Sequence, residues 1–307
     1  MTDTDIPINK ALTERIRRKK EFLDSKRPLG KDALDKLREE FRLVHTYNSN
    51  AIEGNTLTLQ ETRLVLEEGI TIGGKTLAEH LEATGTAQGY DYIEKIARDK
   101  EDISHVTVQT VHEIVMRGLL AEPGKYRTEN VRITGAIKSP PDYSKVPRQM
   151  DELFRAMNSM RTEPLTAAAY FHHRFVEIHP FVNGNGRVAR LLTNLLLVRN
   201  GYPPVVIRRV DRKRYYAALR MADGGDIKPF VQLIAKAVDE SLTLYISVFG
   251  GDDELVPLSE LAKNSPYSQE YLSLRARQGV IDAIKMGKAW HSTKRAVDEY
   301  VKEHGGK

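Results

Sequence analysis

The sequence of 307 residues contains no cysteine, which excludes disulfides, thiol nucleophiles and cysteine-ligated metal. It has one tryptophan and no apolar run approaching the ~20 residues that a membrane helix needs, so no membrane partner is expected. The first residues, Met1-Thr2-Asp3-Thr4-Asp5, lack the basic and apolar regions of a secretory signal; the cytoplasm is the expected location. Strong charge imbalance is also missing. The net charge of +5 is spread along the chain, with one dense basic run at 15–20, read as a solvated helix face rather than a nucleic-acid arm. What is present is 40% hydrophobic content, enough for a packed core, in a chain long enough for two domains.

Most of the chain carries helical periodicity. Spaced apolar residues predict helices over 12–25 and 31–49, separated by Pro28 and Gly30. Thr58 and Thr76 are each followed three residues later by a glutamate, Glu61 and Glu79. These two capping boxes open helices running to about 68 and 98. Further helices are predicted over 107–120, 146–160 and 165–177, then from near Arg187 through the apolar run 191–198, and over 211–222 and 228–248. Between 132 and 145, Gly135, Pro140 and Pro141 deny a helix, while Val131-Arg132-Ile133-Thr134 alternates like a strand. That stretch is predicted to be a short β-hairpin flap.

Gly250-Gly251-Asp252-Asp253-Glu254 reads as an acidic, flexible linker. Beyond it a short amphipathic helix at 258–262, a turn at Asn264-Ser265-Pro266, a helix over 268–278, a two-stranded wing over 284–291 and a closing helix over 292–303 are expected. The pattern resembles the winged helix-turn-helix of excisionase-like and regulator proteins. The expected division is an N-terminal helical region, 1–105; a core with trailing helices, 106–249; a linker, 250–255; and the winged module, 256–307. Arg275, Arg277, Lys285 and Lys288 leave that module open to docking of DNA or of protein, and Trp290 is expected in its core.

The chemistry concentrates between His179 and Arg190. Gly184 and Gly186 let the backbone turn so that successive N–H groups face one concavity, and the helix that follows adds its positive N-terminal end; together these hold anions. Arg187 and Arg190, three apart, share the first helical turn and flank whatever the turn binds. His179, just upstream, is placed as a base. Alone, a histidine before a helix is a capping or solvated residue, and a Gly-x-Gly is a tight turn. His179-Pro180-Phe181 together with Gly184-Asn185-Gly186-Arg187 and Arg190 points instead to phosphate chemistry.

This segment resembles the signature of the Fic family, His-x-Phe-x-(Asp/Glu)-Gly-Asn-Gly-Arg-x-x-Arg. The resemblance implies a mainly α fold: a Fic-type helical bundle with a short β-hairpin flap, here followed by the small C-terminal winged helix-turn-helix domain. It also implies a nucleotidyltransferase that moves AMP from ATP onto a Ser, Thr or Tyr hydroxyl of a target protein and of itself. His179 would then take the hydroxyl proton, a task suited to an imidazole with a pKa near ~6.5. Asn183, Gly184, Asn185, Gly186, Arg187, Val188, Ala189 and Arg190 would hold the nucleotide, with the Asn185 amide as an added donor and both arginines gripping the β and γ phosphates. Phe181 would bury itself and fix the loop.

Asn183 stands where many nucleotidyl-transferring members carry Asp or Glu for Mg2+ (or Mn2+). A neutral carbonyl is a poor donor for a hard cation, which implies a weak, atypical metal position. The resemblance further implies a base pocket at Tyr215 and Tyr216, with Asp223 where an asparagine is common. Flap residues Ile133, Thr134, Gly135 and Ala136 would border the nucleotide and align the target segment by strand addition.

Far upstream, Ser49-Asn50-Ala51-Ile52-Glu53-Gly54-Asn55 reads by itself as a helix end with a surface carboxylate. It matches the family's inhibitory pattern, (Ser/Thr)-x-x-x-Glu-(Gly/Asn), which implies an inhibitory role for Ser49 and Glu53. Glu53 beside Arg190 would occupy the place of the γ-phosphate; the same carboxylate could position water for removal of AMP. Two other readings stay open: a phospho- or phosphocholine transferase on the same fold, against which the intact Gly-Asn-Gly-Arg-x-x-Arg argues, and a DNA-binding regulator that senses nucleotide. A homodimer is also open. The pair His172-His173 with His179 lacks the i, i+4 spacing of a helical metal pair, and His45, His80 and His112 sit within predicted helices and carry no assigned chemistry.

Overall fold

The computed structural model describes residues 9–28, 30–98, 103–133, 135, 137–160 and 162–304, and it divides into two compact units. One is built on Leu34–Val238, the other on Glu14–Ala33 with Asp239–Lys307. Both are mainly helical, and among the described residues no helix is long and apolar enough to cross a membrane.

The first unit contains α2 (Lys31–Glu53) from Leu34 onward, α3 (Leu59–Glu68), α4 (Leu77–Ile96), α5 (His105–Met116), α6 (Val146–Ser159), α7 (Pro164–Ile178), α8 (Asn185–Arg199), α9 (Arg212–Asp223) and the start of α10 (Lys228–Ser247). Both predicted capping boxes form: the Thr58 and Thr76 hydroxyls accept from the Glu61 and Glu79 amides, and each glutamate returns a bond to the cap backbone. α8 is the hub. It packs against α4, α5 and α7, and Val188, Ala189, Leu191, Leu192, Leu195 and Leu197 are fully buried. Buried residues lie all round the helix, the polar Asn185, Arg187, Arg190, Thr193 and Asn194 among them, which places it inside the core and makes each of those polar groups depend on a partner there. α4 reaches α5 and α8 through two glycines: a Cβ on Gly85 would stand 2.6 Å from the Val115 carbonyl oxygen, and one on Gly89 would stand 2.8 Å from Leu191 Cδ1.

The flap differs from the expected hairpin. Val131–Ile133 forms no strand in the structure. The reason is a side chain: Arg127 donates to the carbonyls of Glu129 (2.8 Å) and Pro141 (2.5 Å), groups on the two arms that a facing strand would otherwise need. Asn130 ties to Asp142 and to the Tyr143 amide, closing the loop without a ladder. Thr134 and Ala136 lie outside the described residues.

The second unit holds α1 (Lys10–Ser25) from Glu14 onward, then β1 (Val256–Pro257), α11 (Leu258–Leu261), α12 (Gln269–Arg277), β2 (Ala283–Met286), β3 (Ala289–Ser292) and α13 (Lys294–His304). The strands form an antiparallel sheet of order β1-β3-β2, with Ser292 paired to both Val256 and Ala283. Its core is Leu258, Leu272, Ala276, Ile281, Val297 and Tyr300, with Trp290 packed against it.

Three local expectations change here. The 15–20 run is not uniformly solvated: Lys19 is 9% exposed and donates to Asp239 (2.7 Å), Asp282 (2.7 Å) and Thr243 (2.6 Å), while Arg15 forks onto Asp239. The glycine-acidic stretch before β1 contains a 3-10 turn, Gly251–Asp253, and Asp253 is buried and paired with Arg295 at 2.7 Å. Arg275 is engaged by the Tyr271 and Tyr300 hydroxyls, at 3.2 and 2.9 Å, rather than free for a phosphate.

Candidate active site

His179 closes α7 in the left-handed conformation (φ 52), the one described non-glycine residue with positive φ. Its amide bonds back to Phe175, and its carbonyl accepts from Arg127 Nε at 2.9 Å. The imidazole Nδ1 lies 3.3 Å from the Val176 carbonyl, so Nδ1 donates and Nε2 is left with a lone pair. Burial pushes its pKa down to about 4, helped by the Arg127 charge and opposed by the Val176 carbonyl and Glu53. The ring is therefore neutral at pH 7.

From His179 the chain turns through Pro180 to Phe181, which is fully buried and stacked on His112, ring centroids 3.6 Å apart. Asn185 latches this turn. Its amide oxygen accepts from the Phe181 amide at 3.0 Å and its nitrogen donates to the Phe181 carbonyl at 2.8 Å. That is a different use from the phosphate donor expected of this side chain: both ends of the amide hold the loop shut. His112 Nε2 donates to the Asn183 carbonyl (3.1 Å), and its Nδ1 accepts from the Gly124 amide (2.8 Å). Both ring nitrogens serve only the neutral form, and burial takes this pKa also to about 4.

α8 begins at Gly184 (φ 79), where a Cβ would meet Met116 Sδ at 2.6 Å. No side chain caps this helix, and its first backbone bond runs from the Val188 amide to Gly184. The amides of Asn185, Gly186 and Arg187 therefore emerge from the helix end as donors. Val188 and Ala189 turn fully buried side chains into the core, and the Val188 amide is engaged. Those two residues shape the helix rather than meet a ligand.

Arg187 and Arg190 are 2% and 3% exposed. Arg190 Nε donates to Ser49 Oγ (2.8 Å), and Nη2 donates to the Ser49 carbonyl (2.8 Å) and to Glu53 Oε1 (2.7 Å). Arg187 Nη1 pairs with Glu82 Oε1 at 3.1 Å. Arg187 Nε and Nη1 and Arg190 Nη1 are buried donors without a hydrogen-bond partner, the Arg187–Glu82 contact being an ion pair only, an arrangement that costs free energy unless an anion completes it. Burial works against the Glu53 carboxylate, but the Arg190 pair, with Arg187 and Arg212 nearby, overrides it and holds the pKa below the usual range. Gly186 makes room: a Cβ there would collide with Glu53 Oε1.

The expected base-pocket residues separate. Tyr215 is 1% exposed, beneath Arg190, whose guanidinium lies 5.9 Å from its ring centre. Its hydroxyl donates to His172 Nε2 (2.8 Å), His172 Nδ1 donates to Thr193 Oγ1 (2.8 Å), and Thr193 donates to the Ala189 carbonyl (2.7 Å). Tyr215 is a core support of Arg190, not a pocket wall. Tyr216 is half-buried, under the Arg212 guanidinium at 4.9 Å, with its pKa raised by burial and by the Glu53 charge. Asp223 accepts from His173 Nε2 at 3.0 Å. Ile133 is half-buried and Gly135 exposed.

The side chains fit a resident divalent cation poorly. Asn183 is exposed and neutral, and its Oδ1 already accepts from the Gly184 amide at 2.7 Å. No cluster of three His, Cys, Asp or Glu side chains exists among the described residues. A hard cation finds carboxylate-like oxygen here only on a phosphate ligand it arrives with.

Three residues at this site carried no chemistry in the sequence reading: Arg127, His112 and Glu82. Their partners lie 52, 71 and 105 residues away in the chain, and no local pattern marks such pairs. One consequence is measurable. His45, His112 and His179 are held at about 3, 4 and 4 in the folded chain, against 6.5 ordinarily. Below pH ~6.5 the unfolded chain binds protons that the folded chain refuses, so stability falls as pH drops from there toward ~4. For His112 alone the loss is on the order of 3 kcal/mol. Urea midpoints at pH 7 and pH 4.5 check this, and equal midpoints would contradict it.

The sequence model of the Fic/DOC family matches residues 102–197. The chain is 36% identical over 249 residues to the protein adenylyltransferase Fic of Drosophila melanogaster, a match covering 78% of this chain and 51% of that protein. It thus spans about half the length of the curated relatives it matches. Among solved structures, a Fic domain containing signaling protein from Bacteroides thetaiotaomicron superposes with a TM-score of 0.73 at 31% identity, over 78% of this chain and 98% of that one. Fic-1 (residues 134–508) from C. elegans gives 0.69 at 33% identity, over 78% and 73%.

Proposed function

From the premise that this chain belongs to the Fic/DOC family, we infer that it is a protein adenylyltransferase held in check by its own Glu53. ATP is the donor, and a Ser, Thr or Tyr hydroxyl of a target protein, or of the chain itself, is the acceptor. The observation that carries this reading is the combination, at one uncapped helix end, of two buried and incompletely paired arginines with a neutral histidine.

His179 Nε2 takes the proton of the acceptor hydroxyl as its oxygen bonds to the α-phosphorus; the bond to the bridging oxygen breaks and pyrophosphate leaves. The amides of Asn185, Gly186 and Arg187 with the two guanidinium groups stabilise the charge that develops on the phosphates. Asn185, Phe181 and His112 keep the loop in the geometry this requires. Mg2+ or Mn2+, carried in on the triphosphate, supplies charge neutralisation when bound. Tyr216 is the side chain in reach of the base, and the flap around Ile133 and Gly135 borders the acceptor.

Glu53 makes its ion pair with the Nη2 of Arg190 that a γ-phosphate would use, which supports its role as the brake, with Ser49 holding the other edge of the guanidinium. The same carboxylate can orient water for removal of AMP. In the second unit, the sheet with α11 and α12 between β1 and β2 supports the winged-helix reading; docking of protein suits it better than DNA, because Arg275 is committed to two tyrosines.

The experiment is a mass shift. Incubated with each nucleoside triphosphate, a variant lacking the Glu53 carboxylate should gain one AMP per modified hydroxyl from ATP. A gain of one phosphate, or of phosphocholine from its own donor, would replace this reading with the alternative transferase. Arg127→Met should lower transfer about tenfold or more and cost on the order of 3 kcal/mol of stability, since carbonyls at 129, 141 and 179 lose one shared donor. Initial rates and melting curves check it; an unaltered rate would mean that the flap clamp does not position His179.

A further inference from the structure

Glu82, on α4, is shared by two parts of the site that have opposite effects. Its Oε1 stands 3.1 Å from Arg187 Nη1 in the phosphate cradle. Its Oε2 accepts from Asn55 Nδ2 at 2.9 Å, and its backbone carbonyl accepts from Asn50 Nδ2 at 3.1 Å. Asn50 and Asn55 bracket Glu53 in the chain. One residue thus joins an arginine of the cradle to both sides of the turn that carries the brake.

The contacts are built rather than incidental. Arg187 is 2% exposed and Asn55 9%, so neither replaces Glu82 with water at low cost. Asn55 is itself fixed: its amide bonds to the Asn50 carbonyl at 3.1 Å, and its Oδ1 accepts from the Leu57 amide at 3.0 Å. Asn50 is further held by the Thr86 hydroxyl at 2.9 Å. A carboxylate on one edge of a guanidinium fixes a long, flexible side chain, leaving the remaining N–H groups for a second anion. In Arg187 both Nε and Nη1 are without a hydrogen-bond partner, Nη1 being held to Glu82 by the ion pair alone.

We propose that Glu82 is a positioning residue with two loads: it aims Arg187 at the phosphates and, through Asn55, pins the turn behind Glu53. The proposal rests on the nucleotide reading of the cradle given above. Phosphate on Arg187 draws part of the guanidinium's attraction away from Glu82, and by linkage the position of the brake and the occupancy of the cradle then influence each other. The two loads separate by mutation. Glu82→Gln keeps the shape and an oxygen for Asn55 but removes the charge at Arg187; Asn55→Ala cuts only the tie to the brake.

The test compares the intact chain, E82Q and N55A, each with and without E53G, by self-modification rate against ATP concentration, ATP binding by calorimetry, and melting temperature. In the E53G background, E82Q should raise KM about fivefold with kcat within about twofold, and N55A should change neither. With Glu53 present, N55A should raise the rate at saturating ATP about threefold or more, while E82Q, which keeps an oxygen for Asn55, should leave it within about twofold. A Glu82 that only supports the fold would lower melting temperature and kcat together at constant KM, which overturns the proposal, as does N55A leaving the inhibited rate unchanged. If E53G alone neither binds ATP nor modifies itself, the nucleotide reading fails, a result distinct from normal transfer with an unresponsive KM.

Discussion

Glu53→Gly is expected to raise self-modification on the order of a hundredfold at saturating ATP. The carboxylate accepts from Arg190 Nη2 at 2.7 Å and is ionised at neutral pH, because the surrounding arginines outweigh the effect of burial. Removing it frees one N–H of Nη2, the other still donating to the Ser49 carbonyl, beside the already unpartnered Nη1. Arg190 does not collapse in response, since Ser49 still accepts through its hydroxyl and its carbonyl, both at 2.8 Å. Glu53 is the last residue of α2 and is followed by Gly54 at φ 109, a place where another glycine costs under about 1 kcal/mol. The change therefore acts on the site and not on the fold. Initial rates with labelled ATP measure it, and a rate equal to that of the parent chain would remove Glu53 as the brake.

His179→Ala should abolish transfer, by about a thousandfold or more, whether or not Glu53 is present. The backbone of His179 is a structural fixture: its amide bonds to Phe175 and its carbonyl to Arg127, and alanine retains both. Alanine in the left-handed conformation costs about 1–2 kcal/mol, too little to unfold the unit. What disappears is the imidazole, neutral at pH 7. In the E53G background the rate should rise with pH only up to about the imidazole pKa and then level. ATP binding should survive the substitution. Residual transfer within tenfold of E53G in the double variant would assign the proton to another group.

Much of the fold was legible because its determinants are local. The Thr58 and Thr76 caps each depend on residues within one helical turn, and the starts of α7 and α8, expected at 165 and near Arg187, fall at Pro164 and Asn185. The flap was misread because its carbonyls answer to Arg127 rather than to a neighbouring strand. The 15–20 run was misread because Asp239 and Asp282, more than 200 residues on, draw Arg15 and Lys19 inward. The same division runs through the site. His179, Gly184, Gly186, Arg187 and Arg190 stand together in sequence, and the pattern of Ser49 and Glu53 pointed to the contact that Arg190 makes. Asn185 and Tyr215 were recognised as site residues but given the wrong partners, since a buried amide or hydroxyl bonds whatever the core presents. His112 and Glu82 had no local mark at all.

The placement of α8 at the centre of its unit has a thermal consequence. A segment enclosed on all sides by α4, α5 and α7 opens only when the unit as a whole opens, so its amides belong to the slowest-exchanging class. The final turn of α2, which carries Glu53, is enclosed as well: Ser49, Asn50, Ala51 and Ile52 are buried, and the Ile52 carbonyl accepts from Arg212 Nε at 2.7 Å. The motion that would part Glu53 from Arg190 is therefore a rotation of the Glu53 side chain and not a fraying of its helix. Such a rotation leaves the backbone of both helices, and with it the geometry around His179, undisturbed.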